Sequence, residues 1–361
     1  MYKITLDLKN LLKPIAKTMP VGKNLRVDSD TSSKYYQIKD ARMAARVAER
    51  KYFEEPNESL LKNSRALWQT VSTLSLDILE NLSKDLEVLT WFIEALLRHN
   101  NFYGLAQGFE LAYGLIEKYW PTIYPVADEE GPTSKLIALA SLNGLDSEGA
   151  LETPIHCIPI TDAQKTESYA LWQYKQALDA ERIDDQNKKQ KKYSQGVIPL
   201  EMIKNAALQS GNKFYKKLQS DIDMARKAYL ELCLLIENHC GYPQFPSTNL
   251  IRIFDETYDL INYLSGHKKE VVLTLPPKKM QSFVSSTVNN NFRNREEALH
   301  HLLIIADYFR NTEPQSLLPY ILERANRWGK LSLPALLEEI VSNESARQEV
   351  FNLTGLNNLS I

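Results

Sequence analysis

Leu82–Trp120 reads LSKDLEVLTWFIEALLRHNNFYGLAQGFELAYGLIEKYW. Two helical runs stand in it, SKDLEVLTWFIEALLRH and FYGLAQGFELAYGLIEKYW. Ser83 is the expected cap of the first. It heads a Ser-x-x-Leu start rather than a full capping box, with Asp85 and Glu87 in the first turn, where acids favour the positive end of the dipole. The second run carries Gly104, Gly108 and Gly114, and each glycine weakens a helix by about 1 kcal/mol relative to alanine. Gly104 and Gly108 are four apart and share a face. The return expected for that weakness is the close approach of a neighbouring helix, backbone near backbone. Pro121 ends the run at WPTIYPVADEEGP.

Outward from this pair, helical periodicity dominates and period-2 alternation is scarce, so the expected fold class is all-α. Residues up to about Lys34 read as extended and irregular. Helices are expected over Tyr35–Glu54, over Ser64–Asn81 with Leu67, Val71, Leu74 and Ile78 in register, over Ser134–Leu142 and over Ala163–Asp184. The charge run Glu181–Gly196, with Lys188, Lys189, Lys191 and Lys192, reads as a solvated linker or helix end, because Asp184 and Asp185 cancel much of its field. Gly211–Cys240 reads as one long helix, with Ser247–Leu264 as its partner. GHKKEVVLTLPPKKMQSFVSSTVNNNF loses the helical pattern: VVLTL is a candidate short strand and the rest a linker. The expected organisation is an N-terminal helical bundle over 1–185, a middle long-helix hairpin over 196–265, a linker over 266–292 and a small C-terminal helical module over 293–361.

The first helix of that last block carries two apolar stripes. One is Leu299, Leu302, Leu303 and Ala306 with Phe309 at its edge, the other Ala298, Ile305 and Tyr308. So wide an apolar arc is buried on more than one side, and a block of this size has a marginal core alone. Thr312, or Glu313 itself, caps the next helix, with Pro314 in its first turn. Leu317, Leu318, Ile321, Leu322 and Ala325 form its apolar face, and Glu323 and Arg327 are an i, i+4 pair.

Composition excludes several functions. The chain has 361 residues, 43% hydrophobic and 24% charged, with a net charge of −2, which gives no general attraction to nucleic acid or anionic lipid. Three cysteines, Cys157, Cys233 and Cys240, are no disulfide framework. The start lacks a signal-peptide core, and the longest apolar runs fall far short of the roughly 20 residues that span a bilayer. A cytoplasmic protein without direct membrane insertion is expected. No phosphate loop, nucleophile elbow or paired C-x-x-C is present. Cys233, His239 and Cys240 are the nearest approach to a metal set and carry a weak metal-dependent-enzyme alternative. The blander assignment is a buried thiol, with His239 at the carbonyls of a helix end. No catalytic group, cofactor or metal is expected.

REEALHHLLIIADYFRNTEPQSLLPYILERANRWGKLSLPALLEEI (Arg295–Ile340) closely resembles the C-terminal module of TssA proteins of the bacterial type VI secretion system. Many members carry Ser-Pro shortly after the Glu-Pro. Here Leu317 follows Ser316, which softens one helix-start contact. PVGKNLRVD (Pro20–Asp28), LSKDLEVLTWFIEALL (Leu82–Leu97), YGLAQGFEL (Tyr103–Leu111) and YWPTIYP (Tyr119–Pro125) resemble the ImpA-type N-terminal domain of the same family. The resemblance covers about Pro20–Asp179 and Arg293–Gly355. It implies a non-enzymatic, cytoplasmic assembly factor of a contractile injection machine, with a C-terminal module that forms a ring-shaped homo-oligomer. The implied partners are baseplate, inner-tube and sheath proteins, whose polymerisation the family primes or coordinates. It places an oligomer interface on Tyr308, Phe309, Arg310, Glu313, Pro314, Tyr320, Arg324, Arg327 and Trp328, with closure of a three-helix core the competing role for Glu313, Arg324 and Arg327. It places an N-terminal signature on Lys84, Asp85, Gly104, Gly108, Trp120 and Pro125, for which the competing role is to define the fold. The alternative within the same class is a related accessory protein that shares the N-terminal domain and caps or stops sheath growth.

Overall fold

The structure is a computed structural model. It describes residues 4–27, 30, 32–54, 57–129, 131–144, 148–240, 245–266 and 317–329, and the positions 299, 302, 303, 305–307, 310, 331, 336 and 339. Its elements are α1 (Leu8–Leu11), α2 (Lys34–Glu54), α3 (Glu58–Asn81), α4 (Leu86–Tyr119), a 3-10 turn (Pro132–Leu136), α5 (Ile137–Ala140), α6 (Glu152–His156), α7 (Leu171–Glu181), α8 (Gln186–Ser194), α9 (Leu200–Ser210), α10 (Asn212–Cys240), α11 (Thr248–Leu264) and α12 (Leu318–Trp328). Among the described residues the only β-type pairing is isolated bridges, so the fold is all-α.

The backbone of α4 breaks at Asn101, with φ 54 and ψ −142. A Cβ on Gly104 would overlap the carbonyl oxygen of Leu96, and one on Gly108 would lie 2.8 Å from Ile93 Cγ1. Residues 8 and 15 apart can meet in this way only if the chain folds back. Residues 86–100 and 102–119 are therefore two antiparallel arms of a tight helical hairpin, and the glycines let the arms close. The side chain of Asn100 fastens the turn: its Oδ1 accepts from Ile4 N at 3.0 Å and its Nδ2 donates to Ile4 O at 2.6 Å. Nearly every side chain of both arms is buried, because neighbours cover both. α2 packs along α3, α3 against α4, and α10 along α4.

The contact with α10 follows from its sequence. Tyr215, Leu218, Ile222, Ala225, Tyr229, Leu232 and Ile236 recur at three- and four-residue steps and are buried. Tyr229 meets Phe109 of α4 with ring centroids 4.9 Å apart, and Phe254 of α11 lies 6.3 Å from Tyr229 and 6.2 Å from Phe102. The middle segment thus shares a core with the N-terminal helices. The chain divides into two compact units, Met1–Val272 and Leu273–Ile361.

Several local expectations are corrected. Asp85, not Ser83, caps α4, its Oδ1 accepting from Glu87 N at 2.9 Å and Val88 N at 3.2 Å. Ser83 Oγ instead donates to Lys23 O. α3 starts earlier than Ser64, because Asn57 accepts from Ser59 N and supplies a cap. The Ala163–Asp184 helix shortens to Leu171–Glu181. The charge run is helical as α8, with Asp185 accepting from Asn187 N and Lys188 N. VVLTL and the expected caps Thr312 and Glu313 lie outside the described residues.

Candidate functional site

Three of the four N-terminal signature segments meet at Lys84–Asp85. Lys84 N donates to Val21 O at 2.8 Å and Lys23 N to Leu82 O at 3.0 Å, so PVGKNLRVD lies antiparallel to the residues before α4. On the other side Leu86 N donates to Tyr124 O at 2.8 Å and Tyr124 N to Lys84 O at 3.1 Å, which brings in YWPTIYP. Gly22, at φ 73, sits against the Leu82 carbonyl, where any Cβ would overlap.

Asp85 is fully buried, and beyond its two cap bonds it takes both Nη groups of Arg26 at 2.6 and 3.2 Å. Arg26 also donates to Glu87 at 2.6 Å, and Tyr35 Oη donates to the same Glu87 oxygen at 2.8 Å. Burial pushes the Tyr35 phenol well above its ordinary range, and the Glu87 hydrogen bond adds to that shift. Lys84 is buried, with no acidic ion-pair partner among the described residues. Its Nζ donates to Leu11 O at 2.7 Å and Leu79 O at 2.6 Å, tying α1 to the end of α3. Burial pulls the ammonium down to about 8, with Glu80 opposing weakly. Trp120 stacks on His239 at 4.9 Å between centroids, and Lys135 Nζ donates to the Trp120 carbonyl at 2.7 Å. Pro125 follows a cis peptide bond. His239, expected at helix-end carbonyls, lies in the last turn of α10 and carries this ring contact as well.

This knot offers no exposed base or nucleophile: its acids are capped and ion-paired, and its ammonium binds carbonyls. Burial pushes the Cys157 and Cys233 thiols up to about 12, which leaves them protonated. Among the described residues no three His, Cys, Asp or Glu side chains are placed to hold a metal, and no helix is long and apolar enough to cross a membrane.

In the second unit Tyr308, Phe309, Glu313 and Pro314 lie outside the described residues. Arg310, Tyr320, Arg324, Arg327 and Trp328 are described. Arg310 pairs with Asp307 and with Glu323, and Arg327 pairs with Glu339. Glu323 and Arg327 therefore do not form the expected i, i+4 pair. Each ties α12 to a different neighbour. The Arg324 guanidinium lies over the Trp328 ring at 4.6 Å, and Asn326 donates to Leu299 O.

Sequence reasoning missed a second polar network. Glu94 is fully buried and accepts from Arg42 at 2.9 Å and from Arg46 at 2.7 and 3.1 Å. Beside it Arg98 grips Glu49 at 2.7 and 2.8 Å and stacks on Trp68 at 3.7 Å, while Trp68 Nε1 donates to Glu49 at 2.7 Å. The available signal was one acid inside the apolar run TWFIEALL, since an acid is buried only with a partner.

Residues 12–144 match the family model "ImpA, N-terminal, type VI secretion system". Over 351 residues the chain is 21% identical to the "Type VI secretion system component TssA1" of Pseudomonas aeruginosa, covering 94% of each chain. Among solved structures it resembles the N-terminal domain, including the conserved ImpA_N region, of the TssA component of the type VI secretion system from Burkholderia cenocepacia. The TM-score is 0.60 at 21% identity, over 73% of this chain and 95% of that one.

Proposed function

We propose, from the premise that the chain is a TssA-family component of the type VI secretion system, that it acts as a non-enzymatic assembly factor. Residues 293–361 join copies into a ring, residues 1–185 with the 196–265 hairpin are displayed from it, and baseplate, tube and sheath proteins are recruited to the displayed parts. Many displayed copies raise the effective concentration of a weakly bound partner.

The observation that carries this is the surface of α12. Leu317 is 73% exposed, Tyr320 64% and Ile321 58%. Leu317, Ile321, Arg324 and Trp328 recur at i, i+4, i+7 and i+11, one helical face. Arginine and aromatic residues are favoured anchors at protein interfaces, and so many exposed apolar groups on one short helix are unusual unless a partner covers them. A second copy is the partner such a small unit needs.

Light scattering on a sizing column tests it. The full chain is expected as a large, defined oligomer, while a form ending near Ser265 and the full-length variants Ile321→Asp and Arg324→Glu drop to lower mass. A full-length monomer, or variants of unchanged mass, would overturn the assignment.

A further inference from the structure

We infer that the cleft between α2, α3, the turn of α4 and the α6–α7 segment is a docking site for an extended acidic segment of a partner polypeptide. It lies wholly in the first unit and does not depend on the α12 surface.

The cleft holds about 1260 Å³, above the roughly 300–1,000 Å³ of ordinary small-molecule sites. Its size suits a stretch of peptide. Its floor is already organised. Trp68 and Arg98 stack, both oxygens of Glu49 are gripped by Arg98, and the Trp68 N–H is fixed on Glu49. At the rim Phe53 is 42% exposed and meets Trp172 edge-on at 6.0 Å.

Charge selects the occupant. Arg46, Arg50, Arg65 and Arg98 line the cleft against Glu49 and Glu148. Arg46 is committed to Glu94 and Arg98 to Glu49. Arg50 and Arg65 are exposed and have no acidic partner among the described residues. A chain with a net charge of −2 thus presents a locally cationic mouth. Two uncommitted guanidiniums match carboxylates on a short segment and are too few for the basic track that a nucleic acid requires.

A second observation points the same way. His99 lines the cleft and is nine-tenths buried, and its Nε2 has no hydrogen-bond partner. Burial holds the imidazole below its ordinary pKa, so the ring is neutral, with one nitrogen a donor and the other an acceptor. A ring nitrogen buried without a partner is costly in either role, and an incoming N–H or C=O removes that cost. A peptide supplies both backbone groups as well as the carboxylates. Asn101, with φ 54 in the region that favours glycine, lines the same cleft, and strained backbone of this kind gathers at ligand sites.

The experiment selects short random peptides on the full-length chain and measures their affinity by fluorescence anisotropy. Enrichment of Asp and Glu is expected, with affinity falling at high salt. Arg50→Glu/Arg65→Glu is expected to weaken binding about tenfold or more, by removing a charge match and adding a repulsion. His99→Phe, which leaves the rim charges intact, is expected to weaken it about threefold to tenfold through the lost ring nitrogen. Arg50→Ala and Arg65→Ala, both at exposed positions, repeat the comparison should the charge reversals shift the thermal melt. No selected peptides, peptides without acidic enrichment, or affinities equal for wild type and the arginine variants would overturn the inference. So would single-stranded DNA competing for the same two arginines. Oligomer mass is expected to be unchanged in all four variants, which keeps the test separate from that of the ring.

Discussion

The knot around Lys84–Asp85 and the helix α12 use similar residues to opposite ends. In the knot Asp85 and Lys84 turn their charges inward, Arg26 and Glu87 are partly buried, and each of the four is held by a partner from another segment. In α12 the arginines pair at the surface, and Tyr320 and Ile321 beside them are exposed. Charge turned inward and saturated holds a chain in one conformation. Charge beside bare apolar surface is available to another molecule. The knot residues hold one conformation, and α12 leaves apolar side chains exposed.

Five substitutions break or sharpen this contrast. Asp85→Ala removes the α4 cap and leaves Arg26 only its Glu87 contact, and is expected to cost about 3–4 kcal/mol. Urea unfolding checks it, and a cost below about 1 kcal/mol would show that water replaces the carboxylate. Gly104→Ala comes next at about 2–3 kcal/mol, because the obstruction is the Leu96 carbonyl and backbone cannot step aside. Gly108→Ala is expected to cost less in the same assay, since the atom it meets is the Ile93 side chain. Equal losses at the two glycines would remove the distinction.

Lys84→Met leaves two buried carbonyls without a donor and is expected to cost about 1–3 kcal/mol. It also changes the response to pH. Below about 8 both the folded and unfolded chains hold the proton, and the cost of burying the ammonium is present in full. Between about 8 and the unfolded value near 10.4, the unfolded chain keeps a proton that the folded chain has released, so wild-type stability rises with pH. Denaturant midpoints across that interval are expected to climb in wild type relative to Lys84→Met. Parallel curves would contradict the burial. The smallest effect on the fold is at the other pole: Ile321→Asp is expected to change unfolding free energy by no more than about 0.5 kcal/mol, while lowering the mass of the assembly.

Much of this was legible in local pattern. The two runs either side of Asn100–Asn101 show as separate helices in periodicity, and Gly104 and Gly108 announce close packing by their spacing. Two-residue offsets were less readable. Ser83 and Asp85 both suit a cap, and the choice turned on Lys23 taking the Ser83 hydroxyl and Arg26 orienting Asp85. The Lys188–Lys192 run looked like a linker because its charges hide a short helix whose only marker is Asp185. Glu94 and Glu49 carried no sign of their arginine partners, which lie 48 to 52 residues away in the chain.

The sequence by itself determined the all-α class, the long α10 and the segments that carry the family signature. Each depends on periodicity or on residues close in the chain, where geometry is set by 3.6 residues per turn. Only the tertiary structure decided that three signature segments form one knot, that α10 and α11 share the core of the N-terminal helices, and that Arg50, Arg65 and His99 line one cleft. Those facts rest on contacts between distant residues, and a buried charge or an uncovered apolar face depends on what the folded chain brings against it.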